Sequence, residues 1–261
     1  MLIGAFAGFA TTYITGSLWL GVLTACLVGI ISGLLMALMT VYLGVNQHVS
    51  GLGITLLCTG LAYYAFRVIF GTPANPPQIV PFAQVELLSG VNVLGPIMRQ
   101  YPLTYYAILL VPVVWWVLYR TNFGLQIRAV GENPEAADAA GINVYAVRTM
   151  SLMIAGGFMG VAGSFLTLST LGFFTFDIIA GRGWVCIALV IFANWNPVRV
   201  LWGAFLFGGV SALQLRLQLT GVNLPYELFL SLPYIVTIIA LTIANRNAAY
   251  PAALLKPYKR E

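Results

Sequence analysis

Charge is almost missing from the first quarter of this chain. Residues 1–66 hold no Asp, Glu, Lys or Arg, the first full charge is Arg67, and the stretch Leu152–Phe176 is equally bare. Charged residues make up 7% of the 261 positions and hydrophobic ones 60%, where a soluble protein carries about 25% charged residues. That scarcity excludes a soluble globular protein and identifies a membrane protein. Histidine occurs once, at His48, and cysteine three times, at Cys26, Cys58 and Cys186, each alone in an apolar run. Without a Cys-x-x-Cys pair or an even count there is no disulfide framework, and we read the three as buried thiols. There is no His-Glu-x-x-His and no carboxylate pair within a span, which removes the parts of an intramembrane enzyme.

A phosphate-binding loop of the type G-x-x-x-x-G-K-[ST] is also absent. Gly203 and Gly208 have the first spacing, but Gly209 and Val210 follow, so no nucleotide is cradled by that route and no cofactor is expected on this chain. Met1-Leu2-Ile3 lacks a basic region, so Ala5-Phe6-Ala7 is a poor cleavage site and a removed signal peptide is not expected. The net charge is +5, yet the twelve basic residues stand singly until Arg246, Lys256, Lys259 and Arg260. That pattern fits topology signalling and not a nucleic-acid stripe.

What the chain does have is long apolar runs. We read eight segments, at about 1–15, 18–43, 49–70, 103–119, 149–170, 180–196, 200–219 and 226–245, the first and sixth being short for a crossing of about 20 residues. The fold class is therefore all-α: a polytopic helical bundle of about eight spans. Arg120, Arg128 and Arg148 flank one loop and the basic C-terminal cluster marks another, which places both on the cytoplasmic side. Four crossings lie between them, the even number this requires. Counting backward puts 71–102 outside and the N-terminus inside. The transmembrane domain is then 1–245, with a polar loop at 120–148, and 246–261 is a basic cytoplasmic tail.

Small residues recur at four-residue spacing: Gly4, Gly8 and Thr12; Gly29 and Gly33; Gly156, Gly160 and Ser164. Lipid supplies no hydrophobic drive between helices, so these stripes are read as packing faces. Gln47-His-Val-Ser-Gly-Leu-Gly-Ile-Thr-Leu-Leu57 also aligns without a gap against Asp177-Ile-Ile-Ala-Gly-Arg-Gly-Trp-Val-Cys-Ile187. In the topology above the two run in opposite senses, as inverted-repeat elements of a transporter do.

The stretch RAVGENPEAADAAGI, Arg128–Ile142, holds three of the seven acidic residues. Asn133 suits an N-cap, Pro134 the first helical position, Glu135 the positive end of the dipole, and Gly141 the C-terminus. The result is a helix over Pro134 to Ala140, too short to be stable alone. Ala136, Ala137, Ala139 and Ala140 offer a small-residue surface to a receiving groove. Glu135 and Asp138 share one edge and could meet basic residues of a partner.

The run GENPEAADAAGINV, with GLQIRAV before it and AGGFMGVAGSFLTL after it, resembles the cytoplasmic coupling region of ABC importer permeases. Specifically it is similar to the simple sugar and nucleoside branch, related to branched-chain amino acid permeases. The likeness continues through AGRGWVCIALVIFANWNP, GAFLFGGVSALQLRLQ and LPYIVTIIAL. Asn46-Gln47-His48-Val49-Ser50-Gly51 looks like the NQxVSG element of nucleoside permeases that work with a basic-membrane-lipoprotein type binding protein. In that branch a further hydrophobic segment usually precedes the Gly4-Ala5-Phe6 element; this sequence starts at Met1.

The resemblance implies a permease of the bacterial plasma membrane. It also implies ABC ATPase subunits that bind ATP and Mg on separate chains, a second permease chain in a heterodimer, and an extracytoplasmic substrate-binding lipoprotein. Glu132, Asn133, Pro134, Glu135, Ala136, Ala137, Asp138, Ala140 and Gly141 are the expected coupling element. For substrate contact the two repeat elements are expected to supply Asn46, Gln47, His48 and Ser50 from one side and Phe174, Asp177, Arg182 and Trp184 from the other. An aromatic platform with amide or carboxylate partners is the complement of a nucleoside. The rival class is an ion-coupled secondary carrier, which needs ionisable groups inside spans. The available ones, His48, Glu86, Asp177, Arg182, Arg216 and Glu227, all fall at or near span ends.

Overall fold

The computed structural model describes residues 1–71, 76–86, 99–219 and 251–258, with isolated helical positions between 231 and 242. The helices are α1 (Leu2–Thr15), α2 (Leu18–Ala37), α3 (Gln47–Phe70), α4 (Pro102–Arg120), α5 (Asn122–Glu132), α6 (Pro134–Ala139), α7 (Val144–Phe165), α8 (Arg182–Phe192) and α9 (Pro197–Leu219). The chain winds wider, as π-helix, directly after α2 and α7, over Leu38–Tyr42 and Leu166–Leu171. Two short strands, β1 (Val85–Glu86) and β2 (Arg99–Gln100), pair antiparallel.

Among the described residues five helical stretches are long and apolar enough to cross a membrane: Leu18–Tyr42, Gln47–Phe70, Pro102–Arg120, Val144–Leu171 and Pro197–Gln218. The segments read as short, 1–15 and 180–196, form the shorter helices α1 and α8. The segment at 226–245 lies outside the described residues except for isolated helical positions.

The chain divides into two compact units. One comprises Met1–Tyr106, Asn122–Ala180 and Ala252–Glu261, the other Ala107–Thr121 and Gly181–Pro251. The first unit is organised by an antiparallel seam between α2 and α7. Gly21, Ala25, Gly29 and Gly33 are the buried face of α2, while Leu27, Ile31 and Leu34 on its other side are exposed. Across the seam Gly33 meets Leu152, Gly29 meets Gly156, and Ala25 meets Gly160, each through backbone atoms. A Cβ placed on Gly156 would lie 3.0 Å from Gly33 Cα, and one on Gly160 would lie 3.1 Å from Gly29 Cα. The stripes are therefore packing faces, as their spacing predicts, and dispersion between closely approaching backbones supplies the attraction that lipid does not.

Helix α1 joins the same seam. A Cβ on Gly4 would sit 2.7 Å from Gly160 Cα, and the Thr167 hydroxyl, fully buried, donates to Ala5 O at 3.2 Å. Its aromatic residues turn the other way: Phe6 and Phe9 pack with Phe66 of α3 and Phe174 into one apolar cluster. Met1 lies against Gly163, which is about 28 Å along α7 from Val144 at 1.5 Å per residue. Residues 252–258 pack instead at the Val144 end, where Tyr258 meets Tyr145. Helix α1, 14 residues long, starts part-way along α7 and runs toward its Leu168 end.

Two further expectations change. Cys26, whose Sγ lies beside Gly157 of α7, and Cys58 are only half-buried, and Cys186 is exposed. Asp177–Ile187 also does not repeat the local structure of Gln47–Leu57. The latter is helical throughout, whereas residues 176–181 form turns with Ala180 and Gly181 at positive φ (43° and 74°) and the helix starts only at Arg182.

The seam predicts opposite signs for two chemically identical substitutions. Gly29→Ala pushes a methyl into Gly156, an overpacking that costs about 1–3 kcal/mol, whereas Gly60 of α3 has nothing within 4 Å of an added Cβ and gains up to about 1 kcal/mol of helix propensity. The thermal midpoint of purified protein is expected to fall for Gly29→Ala and to hold or rise for Gly60→Ala.

Candidate functional site

The polar loop is a rigid piece built from local chemistry. Asn133 accepts from Ala136 N–H at 3.0 Å and so caps α6, with Pro134 at its first position. At the other end Ile142 N–H donates to Ala137 O at 3.0 Å and Gly141 N–H to Asp138 O at 2.8 Å, with Gly141 at φ 84°. This pair of bonds is a Schellman closure, which needs the left-handed conformation that glycine adopts without strain. Asn143 then accepts from Ala146 N–H at 3.0 Å and caps α7. Two short-side-chain amides, one on each side of Gly141, thus fix both helix starts.

The small-residue surface is not all outward, as the sequence suggested. Ala137 is 4% exposed and packs with Val130 of α5 and Val144 and Val147 of α7, with Ile142 beside them. This packing is what holds a two-turn helix that could not persist alone. Glu132, Asn133, Glu135, Ala136, Ala140 and Gly141 are exposed, and Asp138 is half-buried. The outward face of α6 is therefore acidic at its start and small along its length.

The same end of the molecule carries Asn46, Gln47, His48 and Ser50. Tyr42, just before them, lies 6.0 Å ring to ring from Tyr145 near the start of α7. Asn46 Oδ1 accepts from His48 N–H at 2.9 Å and caps α3, so it has a structural task. His48 is exposed, while Ser50 is buried, its hydroxyl without a hydrogen-bond partner among the described residues.

The opposite end of α3 carries the aromatic residues. Phe174 is 4% exposed and stacks 5.5 Å from both Phe6 and Phe66. Tyr63 lies 4.6 Å ring to ring from Phe176 and donates its hydroxyl to Phe176 O at 3.0 Å. Tyr63, Tyr64, Arg67 and Phe176 line an open hollow of about 400 Å³, with Tyr64, Arg67 and Phe176 exposed. Asp177, exposed, follows Phe176 directly.

The expected substrate set is thus not one site. Asn46 and Phe66 are 20 residues apart on one helix, about 30 Å at 1.5 Å per residue, and Phe174 and Asp177 go with Phe66. Phe174 is core packing, not a platform facing a ligand. Arg182 and Trp184, both exposed, open α8 in the second unit. The residues that do come together around an open space, Tyr63, Tyr64, Arg67 and Phe176, were not among those expected. Their signal was present: Arg67 is the first charge of the chain and follows a tyrosine pair at one-turn spacing. Among the described residues no group of three His, Cys, Asp or Glu side chains is placed to hold a metal.

The caps give a local prediction. Asn133→Ala removes a bond of about 1 kcal/mol, so the amides of residues 136–142 should exchange hydrogen about fivefold faster while those of the α2–α7 seam keep their protection. Hydrogen-exchange mass spectrometry checks this, and uniform loss of protection would mean that the loop is not a separate capped unit.

Comparison with known proteins adds the family. The branched-chain amino acid transport system / permease component family matches residues 1–241. A candidate glucose ABC transporter permease protein of Haloferax volcanii is 37% identical, covering 100% of this chain and 87% of its own. A nucleoside ABC transporter permease protein of Lactococcus lactis is 34% identical over 97% of this chain and 83% of its own. A guanosine ABC transporter permease protein of Bacillus subtilis is 33% identical over 99% and 85%. No solved structure matches the chain. A multi-pass helical architecture, a capped polar loop between spans and a match over most of the sequence lead to one assignment: the chain belongs to the branched-chain amino acid transport system / permease component family of ABC transporter permeases.

Proposed function

We propose that this chain is the membrane permease subunit of an ATP-driven importer for nucleosides or a related simple sugar. The observation that carries this reading is α6: a capped helix with an acidic outward edge, packed against the short helix α5 and the start of the span α7 in a member of this family. ATP and Mg are bound on separate ATPase chains. A second permease chain, preferentially a different homologue, completes the pathway, and a substrate-binding lipoprotein delivers cargo on the far side. The chain lies in the plasma membrane as a bundle of about eight apolar segments, with α6 and the C-terminal tail on the cytoplasmic side.

The mechanism follows from how α6 is held. Closure of the ATPase pair displaces the exposed face around Glu135. Because Ala137 is packed against Val130, Val144 and Val147, the push is passed to α5 and α7 instead of being absorbed by a loose loop. Helix α7 is locked to α2 by the glycine seam, so the two move as a body, and the permease rocks between outward and inward openings.

Cargo meets the cavity of Tyr63, Tyr64, Arg67 and Phe176. A nucleobase or sugar ring stacks on the aromatic faces, and the Arg67 guanidinium donates to a carbonyl or hydroxyl of the ligand. The names of the nucleoside and guanosine permeases among the relatives favour nucleosides, and the glucose relative keeps a sugar as the alternative.

Two expected outcomes test this. Glu135→Lys with Asp138→Lys should leave a folded permease whose substrate-stimulated ATPase activity in the reconstituted complex is lost; unchanged stimulation removes α6 from the mechanism. Arg67→Ala should raise the substrate concentration for half-maximal uptake about tenfold or more, as loss of a charged hydrogen bond of about 1.5–3 kcal/mol requires. Basal ATPase activity should stay unaltered. An unchanged concentration dependence removes the cavity from the pathway.

A further inference from the structure

Residues Ala252–Tyr258 form a hook fixed onto the loop that carries α6. Ala253 is buried and its N–H donates to Gly131 O at 3.0 Å; Arg148 Nη1 donates to Lys256 O at 3.1 Å. Tyr258 stacks 5.7 Å from Tyr145, with the Arg148 guanidinium 6.0 Å from its ring centre. Between these anchors the chain reverses through Lys256 N–H to Ala253 O, 3.2 Å, with Leu255 at φ 63°. A leucine in the left-handed region is strained and persists only where the surroundings fix it. Here the turn sets Leu254 and Leu255 outward, 45% and 46% exposed, in a polar tail.

The hook and α6 share one groove. Glu132, Asn133 and Glu135 line it from the helix side and Ala252, Lys256 and Pro257 from the hook side, around a space of about 290 Å³. A body that reaches Glu135 along this groove meets Lys256 on the same approach. Leu254 and Leu255, both exposed, lie in the chain between Ala253 and Lys256, two residues of that groove.

We propose that the hook Ala252–Tyr258 is a second docking element for the ATPase subunit, beside α6. The proposal rests on the reading of α6 as the coupling helix. Continuity of the groove with the exposed face of α6 identifies the occupant: Glu132, Asn133 and Glu135 form one wall and Ala252, Lys256 and Pro257 the other. The ATPase face that fits carries an apolar notch for Leu254 and Leu255, basic groups opposite Glu132 and Glu135, and an acid opposite Lys256. This also gives the backbone anchors a purpose, since they hold the hook in register with α6 whatever the side chains at 254 and 255.

The test uses the full importer complex. Leu254→Ser with Leu255→Ser and Lys256→Glu alters only exposed side chains, and an unchanged thermal midpoint of the permease verifies folding. ATPase subunit retained on immobilised permease after washing is expected to fall at least tenfold against wild type. If wild type and the hook variant retain it equally while Glu135→Lys with Asp138→Lys releases it, the hook proposal is overturned and the coupling reading stands. If wild type retains no ATPase chain, the coupling reading itself fails, and the hook proposal with it. A second measurement covers an unstable variant: Leu254→Cys, in a background where Cys26, Cys58 and Cys186 are replaced, is expected to cross-link to the ATPase chain. Cross-linking to lipid instead makes the hook a membrane anchor and overturns the proposal.

Discussion

The close approach of α2 and α7 is the constraint on which the rest depends. Two spans whose backbones touch at Gly29 and Gly156 cannot slide or rotate past each other without meeting side chains. In a solvent of lipid tails that contact is the principal source of packing energy. The seam places α1 beside it through Gly4 and Gly160, and it fixes which ends of the helices lie together: Tyr42 with Tyr145 at one end, Gly21 with Leu168 at the other. From this follow the positions of both candidate regions. The polar loop and the hook gather at the first end, and the aromatic cavity, hung on the far end of α3, at the second.

Separation of the two regions along the helices is what a coupled transporter requires. In the proposed mechanism force enters at α6 and cargo binds about 30 Å away at 1.5 Å per residue, so a stiff connection must run between them. The connection here is α7 itself, capped by Asn143 and continuous with the Schellman closure of α6. The π-helical turns after α2 and α7 sit at the two ends of that body. Wider turns of this kind are less regular and occur often at functional sites, which suits points where a rigid body meets segments that must change.

Much of this was legible in the sequence where one local rule decides the outcome. The helix in GENPEAADAAGI ends at Ala139, one residue from its expected limit, because Asn-Pro at one end and a left-handed glycine at the other are dictated by backbone geometry. The four-residue glycine spacing announced the seam, and the short first and sixth apolar segments form the shorter helices α1 and α8. What failed depended on which residues the tertiary fold brings together. Ala137 reads like its alanine neighbours, yet packing turns it inward. Asn46 looks like a ligand and acts as a cap. Phe174 and Asn46 belong to similar segments in sequence but to opposite ends of α3. The hook is held through the carbonyls of Gly131 and Lys256, and backbone acceptors leave no mark in residue identity.

The central claim is that movement of cargo through this chain is driven by ATP hydrolysed on partner subunits. The most direct measurement is uptake of a labelled nucleoside into proteoliposomes holding the complete importer, with and without ATP, and with ionophores that collapse ion gradients. Accumulation is expected to require hydrolysable ATP and to be indifferent to the ionophores. Accumulation that proceeds without ATP and disappears when the gradients collapse would contradict that claim.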